Sequence, residues 1–307
     1  MTIDAHDSKL PSSAEESGAA KPLAPGLYIV ATPIGNLEDI TLRALRVLRN
    51  VDRIACEDTR QTQKLLSHFD IAVPTVSCHV HNERQRAGEL IAELQNGARI
   101  ALVSDAGMPG ISDPGEYLVA AAVAGEIPVI PIPGASAVVS ALAASGLDTT
   151  SFLFVGFPPP RTGERRSFFE ALRTERATLI FYEAPHRVVE SLRDAIQIFG
   201  SERRAVLARE ITKIHEEFLR GTLQELEAIC AGRELLRGEM TLLVTGASAA
   251  DATAAGTTAE GDLRGAMAVY LEQGLDEQAA LKRVARDRGV SKSEVYREWQ
   301  RESGRRK

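Results

Sequence analysis

Short apolar runs and stretches of helical periodicity take turns through the first half of the chain. "GLYIVATPIGN" (26–36) is an apolar run that ends in a Pro/Gly turn, the pattern of a buried strand feeding a loop. Leu42, Leu45, Leu48 and Val51 then recur at helical spacing. "DRIACEDT" predicts a second strand, "RQTQKLLSHF" a helix and "VPTVSCHV" a third strand. "HNERQRAGELIAELQNG" predicts a long amphipathic helix stopped by Gly97, and "ARIALVSD" a fourth strand. "PGEYLVAAAVAG" is a helix again ended by glycine, "IPVIPIPG" a fifth strand and "ASAVVSALAASG" a small-residue helix. Strands written as continuous apolar runs and alternating with helices imply a parallel sheet covered on both faces.

After Gly146 the pattern changes. "SFLFVGFPPP" is a strand ending in a proline triplet, and "RTGERRSFFEALRTERA" a charged loop and helix. "TLIFYEAPHR", a helix to Gly200, "RAVLARE", the segment "ITKIHEEFLRGTLQELEAI" and the strand "RGEMTLLVTG" complete a second α/β domain with a mixed sheet. The small, low-complexity stretch 247–261 is expected to be a linker. Beyond it, "AALKRVARDRG" and "VSKSEVYREW" predict two helices across a Gly turn, with Ser291 as N-cap and Glu294 completing a capping box. That layout matches a helix-turn-helix, and a hairpin that merely packs on the body would look the same. The expected organisation is therefore a disordered tail at 1–25, an N-terminal α/β domain at 26–146, and a C-terminal α/β domain at 147–246. The linker at 247–261 and a helical segment at 262–307 follow.

Composition narrows the partners. The chain has 307 residues, 44% hydrophobic and 25% charged, enough for two soluble domains. No stretch supplies the roughly 18 apolar residues of a membrane-spanning helix, and the start lacks the features of a signal peptide, so a cytoplasmic protein with no membrane partner is expected. The net charge of −6 is unlike that of a protein that coats nucleic acid. Residues 262–307, however, carry 11 Lys/Arg against 8 Asp/Glu, a local +3 that favours nucleic-acid contact by the terminal helices. Cys56, Cys78 and Cys230 form no CxxC pair, and the histidines complete no ligand spacing, so buried thiols and no metal are expected.

Three Gly/Pro loops follow strands of the parallel sheet: "TPIGN", "SDAGMPG" and "IPGASA". Ligands of such sheets sit outside the carboxyl ends of the strands. None of the loops is GxGxxG or a P-loop, so a nucleotide polyphosphate is not the obvious guest. Glycines open the backbone to close approach, and an aspartate suits ribose hydroxyls or an ammonium group. A small zwitterionic nucleoside fits this chemistry. Taken singly, each loop also reads as an ordinary turn between strand and helix.

The set "ATPIGNLEDIT", "CEDTRQTQKLL", "HNE", "VSDAGMPGISDPG", "PGASA", "FYEAPHR" and "AREITKIHEE" resembles the tetrapyrrole-methylase superfamily, and within it the ribosomal branch. The resemblance covers about residues 26–246. It implies two α/β domains with an S-adenosylmethionine cleft between them and a helix-turn-helix-like appendage. The implied activity is 2′-O-ribose methylation of a cytidine in the 16S rRNA of the small ribosomal subunit, by a homodimer. Pro33 and Gly35 match the first cofactor loop loosely. Asp105 matches the second, where Ala106 replaces the family's proline, and Asp105, Ala106, Gly107 and Met108 would line the cofactor. Gly134, Ser136 and Ala137 match the third loop, and Glu183 would face the cleft from the second domain.

Methyl transfer to a ribose hydroxyl calls for in-line alignment and an acceptor for the proton. Glu57, Asp58, His81 and Glu83 are the candidate bases, although adjacent strand residues such as Glu57 and Asp58 cannot point the same way. Exposed carboxylates in surface ion pairs give the same pattern. Arg60, Asn82, Arg187 and Lys213 are candidates for holding RNA, as is the basic loop 158–166. Three other functions remain open at this level: a methylase of a small molecule or protein, a non-enzymatic nucleic-acid-binding regulator, and, least supported, a dinucleotide oxidoreductase.

Overall fold

A computed structural model describes residues 22–79, 82–248, 263–272, 274–287 and 291–303. Nearly all of the expected tail and linker, and His81, lie outside these residues. The chain forms two compact units. The first runs up to Ser140 and takes back Glu210–Glu216; the second comprises Ala141–Arg209 and Glu217 onward.

In the first unit the five expected strands are β1 (Gly26–Val30), β2 (Arg53–Cys56), β3 (Thr75–Ser77), β4 (Arg99–Val103) and β5 (Val129–Ile132). They form one sheet in the order β3-β2-β4-β1-β5, every neighbouring pair parallel. Helices α1 (Leu42–Asn50), α2 (Thr59–His68), α3 (Glu83–Gln95), α4 (Glu116–Ala124) and α5 (Ala137–Ser145) follow the strands in turn. Alternation along β1 explains its unbroken apolar sequence. Tyr28 and Val30 pack with Val47, Leu48 and Leu66 on one face, while Leu27 and Ile29 pack with Leu90, Leu94 and Leu118 on the other. The expected glycine stop holds for α3, where Gly97 is left-handed at φ +88°. At α4 it shifts by one residue: Gly125 stays at φ −87°, and Glu126 takes the left-handed turn at φ +54°.

The second unit holds β6 (Phe152–Phe154), β7 (Thr178–Glu183), β8 (Arg204–Arg209), β9 (Glu217–Thr222) and β10 (Met240–Val244). Their order is β6-β7-β10-β8-β9, with β6 and β7 parallel and the other pairs antiparallel, so the sheet is mixed as expected. Helices α6 (Thr162–Ala171), α7 (Val188–Phe199) and α8 (Leu223–Ala231) accompany it. Phe169, Phe181, Phe199, Leu192 and Leu242 centre its core. The segment 211–229 resolves into a turn, β9 and α8, whose start is fixed by a Thr222–Glu225 capping box.

Three terminal helices follow: α9 (Leu263–Glu272), α10 (Glu277–Asp287) and α11 (Lys292–Ser303). Leu263 and Met267 of α9 share a small core with Leu281, Val284 and Val295, so the two expected helices pack with a third. The Ser291–Glu294 capping box is present: Ser291 N–H donates to Glu294 Oε2 at 2.9 Å, and Glu294 N–H to Ser291 Oγ at 3.3 Å. Among the described residues no helix is long and apolar enough to cross a membrane.

One ionic cluster in the second unit is buried. Arg165, 1% exposed, donates from Nε to Asp194 Oδ2 at 2.8 Å and from Nη1 to the Pro160 carbonyl at 3.1 Å. Arg166 Nε reaches the other Asp194 oxygen at 2.7 Å. One carboxylate thus fastens the start of α6, and the proline triplet before it, to α7. Removing it leaves a buried guanidinium uncompensated, which costs about 3–5 kcal/mol. Asp194→Ala is expected to lose that much in urea unfolding; a loss below about 1 kcal/mol would show that the cluster does not anchor α6.

Candidate functional site

Three loops leave the carboxyl ends of β1, β4 and β5. The first two are fastened backbone to backbone: Thr32 N–H donates to the Gly107 carbonyl at 2.9 Å, and Gly107 N–H donates back to Thr32 at 3.1 Å. The Thr32 hydroxyl adds a bond to the Ser104 carbonyl at 3.1 Å. Gly134, after β5, sits so close to β1 that a Cβ there would stand 2.8 Å from the Ala31 methyl. Pro33, Gly35, Asp105, Ala106, Gly107, Met108, Gly134, Ser136 and Ala137 therefore share one edge of the sheet. Gly107 is buried beneath the loop, whereas Asp105 and Ala106 are exposed on its rim.

The long β4–α4 loop is held at its far end as well. Glu83 Oε1 accepts from the backbone N–H groups of Gly115 and Tyr117, each at 3.0 Å, and of Leu118 at 3.4 Å. Glu83 thus caps α4, whose N-terminal dipole favours a carboxylate. Asn82 is similarly occupied: its Oδ1 accepts from His79 N–H at 2.8 Å, and its Nδ2 donates to the Ser77 carbonyl at 3.3 Å. Asp58 caps α2 by accepting from Arg60 N–H at 2.8 Å, and its own N–H donates to Asp105 Oδ1 at 3.3 Å. Arg60 is exposed. Lys213 pairs with Glu210 at 2.8 Å, and its stem lies so close to Gly35 that a Cβ there would stand 2.4 Å from Lys213 Cγ.

The exits of β2 and β4 form an acidic group. Burial pushes Asp113 up to about 6, the nearby charges of Glu57 and Asp105 push it the same way, and a hydrogen bond with Ser104 partly offsets them. Burial, then the charge of Asp105, also raises Glu57, with His79 countering. Burial raises Asp105, where the Asp58 N–H works in the opposite direction. Asp113 was not among the sequence candidates, although it stands in the same "SDPG" stretch. Only its burial beside Glu57 and Asp105 distinguishes it. All three cysteines are buried, and burial raises Cys78 to about 11, the environment of an inert thiol. Among the described residues no group of His, Cys, Asp and Glu could hold a metal.

A cavity of about 450 Å³ opens beside the β1 and β5 exits, lined by Ile34, Asp39, Thr41, Pro133, Gly134 and Thr212 among others. Asp39 Oδ2 and Thr212 Oγ1 are buried there without hydrogen-bond partners, and Thr212 is held in a left-handed conformation at φ +69°. Neither residue was legible as a site residue from the sequence. In the second unit Glu183 is 2% exposed. Its Oε1 accepts from Ala184 N–H at 2.8 Å and from Arg187 Nε at 2.5 Å, and its Oε2 is buried without a partner.

An α/β chain with this parallel sheet, mixed sheet and trio of exit loops has the architecture of a methylase of the tetrapyrrole type. Residues 26–227 match the family Tetrapyrrole (Corrin/Porphyrin) Methylases, and the chain belongs to that family. It is 50% identical to Ribosomal RNA small subunit methyltransferase I of Halalkalibacterium halodurans over 88% of this chain and 93% of that protein. With the protein of the same name from Synechocystis it shares 46% identity, over 88% and 95%. Its fold is similar to the crystal structure of uroporphyrin-III C-methyl transferase from Thermus thermophilus complexed with S-adenyl homocysteine. That similarity has a TM-score of 0.50 and 17% identity, over 71% of this chain and 96% of that one.

The raised Asp113 carboxyl sets a sign for stability against pH. Its ordinary value is 3.8, so between pH 4 and 6 the folded chain keeps a proton that the unfolded chain has released. The stability it contributes is present below about pH 4 and lost as the pH rises through about 6. Asp113→Asn is therefore expected to gain stability over the wild type progressively from pH 4 to 7 in thermal unfolding. A difference that does not change with pH would contradict the burial of this carboxyl.

Proposed function

We propose that this protein transfers the methyl group of S-adenosylmethionine to the ribose 2′-oxygen of a cytidine in the 16S rRNA of the small ribosomal subunit. The observation that carries the cofactor is the pinned pair of loops at the β1 and β4 exits, with Asp105 exposed beside an open backbone. Its chemistry fits the group. The carboxylates around it disfavour a polyphosphate and favour a sulfonium bearing an ammonium, and Asp105 is placed to accept from the cofactor's hydroxyl or ammonium donors. The relatives named for small-subunit rRNA methylation, similar across almost their whole length, support the acceptor.

When bound, the cofactor supplies an electrophilic methyl group. The chain supplies alignment, because loops fixed by backbone hydrogen bonds hold their guest in one pose. Proton acceptance falls to the acidic group: a carboxyl raised toward neutrality, as Asp113 is, makes a better base than an ordinary one. Glu57, Asp58 and His81 remain the candidates drawn from the sequence. Arg60 and Lys213 hold RNA phosphates, and the basic segment 262–307 adds a second RNA contact; Arg187, occupied by Glu183, is not counted among these contacts. The same proposal includes a homodimer working in the cytoplasm.

Labelled methyl transfer to small subunits lacking this modification, followed by nuclease mapping, tests it. Label is expected on one ribose 2′-oxygen. Asp105→Ala is expected to weaken cofactor binding about tenfold or more, the effect of losing a charge-assisted hydrogen bond. No label on subunits or free RNA, with cofactor binding intact, would overturn the rRNA assignment and point to a small-molecule or protein acceptor.

A further inference from the structure

Phe157 leaves β6 just before the proline triplet and is 53% exposed. The ring is nevertheless held in place. Tyr182 packs against it with centroids 5.5 Å apart and planes tilted by 56°, and Phe154 meets Tyr182 edge-on at 4.8 Å. The Arg187 guanidinium lies 5.8 Å from the Phe157 centroid. Arg187 is itself fixed by Glu183, the nearly fully buried carboxylate at the end of β7. Two neighbouring parallel strands thus present one aromatic ring that is braced from behind and half open to solvent.

Cations follow it in the chain. Arg161 stands at the N-cap position of α6 with no side-chain capping bond and 82% of its side chain exposed, and Arg166, which reaches Asp194 through Nε, is 46% exposed. Arg161 is paired with Glu164 at 3.0 Å on the open surface, where such a pair is weak and readily exchanged for a phosphate. Prolines 158–160 limit the backbone freedom of the connection, which Arg165 grips through the Pro160 carbonyl.

We propose that Phe157 is a stacking platform for a nucleobase of the RNA substrate, with Arg187 holding the ring and Arg161 and Arg166 meeting the flanking phosphates. This rests on the rRNA assignment above and extends it to a residue that neither the sequence motifs nor the exit loops single out. An exposed, rigid aromatic ring beside arginines matches a polyanion that carries flat π-faces, which is how single-stranded RNA is recognised. An apolar protein partner would instead have to desolvate those arginines. The other flat face available is the adenine of the cofactor, and the test separates the two.

The experiment measures KM for small subunits at saturating S-adenosylmethionine and, separately, cofactor Kd by calorimetry, for the wild type and for Phe157→Ala, Phe157→Leu and Phe157→Trp. Stacking of one base predicts a KM increase of about 5- to 150-fold for the alanine variant. Cofactor Kd and thermal stability should be unchanged. Leucine, which fills space without a π-face, should behave like alanine, and tryptophan should restore most of the affinity. A raised cofactor Kd with unchanged KM would overturn the proposal in favour of adenine stacking. Rescue by leucine, or no effect of alanine, would also overturn it. Absence of transfer by the wild type to any RNA would overturn the rRNA assignment together with this proposal. Normal wild-type transfer with an indifferent Phe157 would overturn this proposal alone.

Discussion

Two backbone hydrogen bonds between Thr32 and Gly107 join the loops that leave β1 and β4, and the candidate cofactor platform depends on that junction. These strands are neighbours in the sheet but far apart in sequence, so each loop gains its shape only when the sheet has formed. The bridge consumes the inward-facing polar groups of Thr32 and Gly107. Asp105 and Ala106 are left on the outer side, where a ligand can reach them. Glu83 fixes the other end of the same loop by collecting three N–H groups at the start of α4. A loop held at both ends loses little further conformational freedom when it binds, which favours affinity and a defined pose.

Electrostatics follow from the same crowding. β2 and β4 lie side by side and their exits gather Glu57, Asp105 and Asp113; partial burial is the larger cause of each raised carboxyl, the charge of Asp105 adds to it at Glu57, and the charges of Glu57 and Asp105 add to it at Asp113. Clustered carboxylates disfavour phosphates and favour a sulfonium, which is the reason for proposing both the cofactor and the proton acceptor at this edge of the sheet. Of the basic residues proposed for RNA, Arg60 on α2 and Lys213 belong to the first unit, and Arg161 and Arg166 on α6 and the terminal helices belong to the second.

Much of the fold was legible because parallel strands buried on both faces are written as unbroken apolar runs, as β1, β2 and β4 are, and the edge strand β5 is apolar in sequence although only Ile132 is buried. The exit loops were legible because glycine and proline mark them. The precise helix end at Glu126 was not, since a non-glycine residue took the left-handed position. The side-chain roles were less legible still. Asp58, Asn82 and Glu83 looked like site residues in sequence, and all three are engaged with backbone at helix starts or strand exits. Asp113, Asp39 and Thr212 stand inside the resembling stretches without being marked as site residues there, and Phe157 stands outside them. Burial distinguishes the first, unpartnered atoms at a cavity the next two, and exposure on a braced ring the last, and none of these is a property of local sequence.

Hydrogen exchange of the protein with and without S-adenosylmethionine, read segment by segment, is the most direct test of the pinned loops as the cofactor platform. Slowed exchange is expected in residues 104–110 and 33–36, outside the amides already fixed by the Thr32–Gly107 bridge, with smaller changes around 134–137. Saturated binding that left these segments unchanged, or protected others instead, would contradict the placement of the cofactor at the β1 and β4 exits.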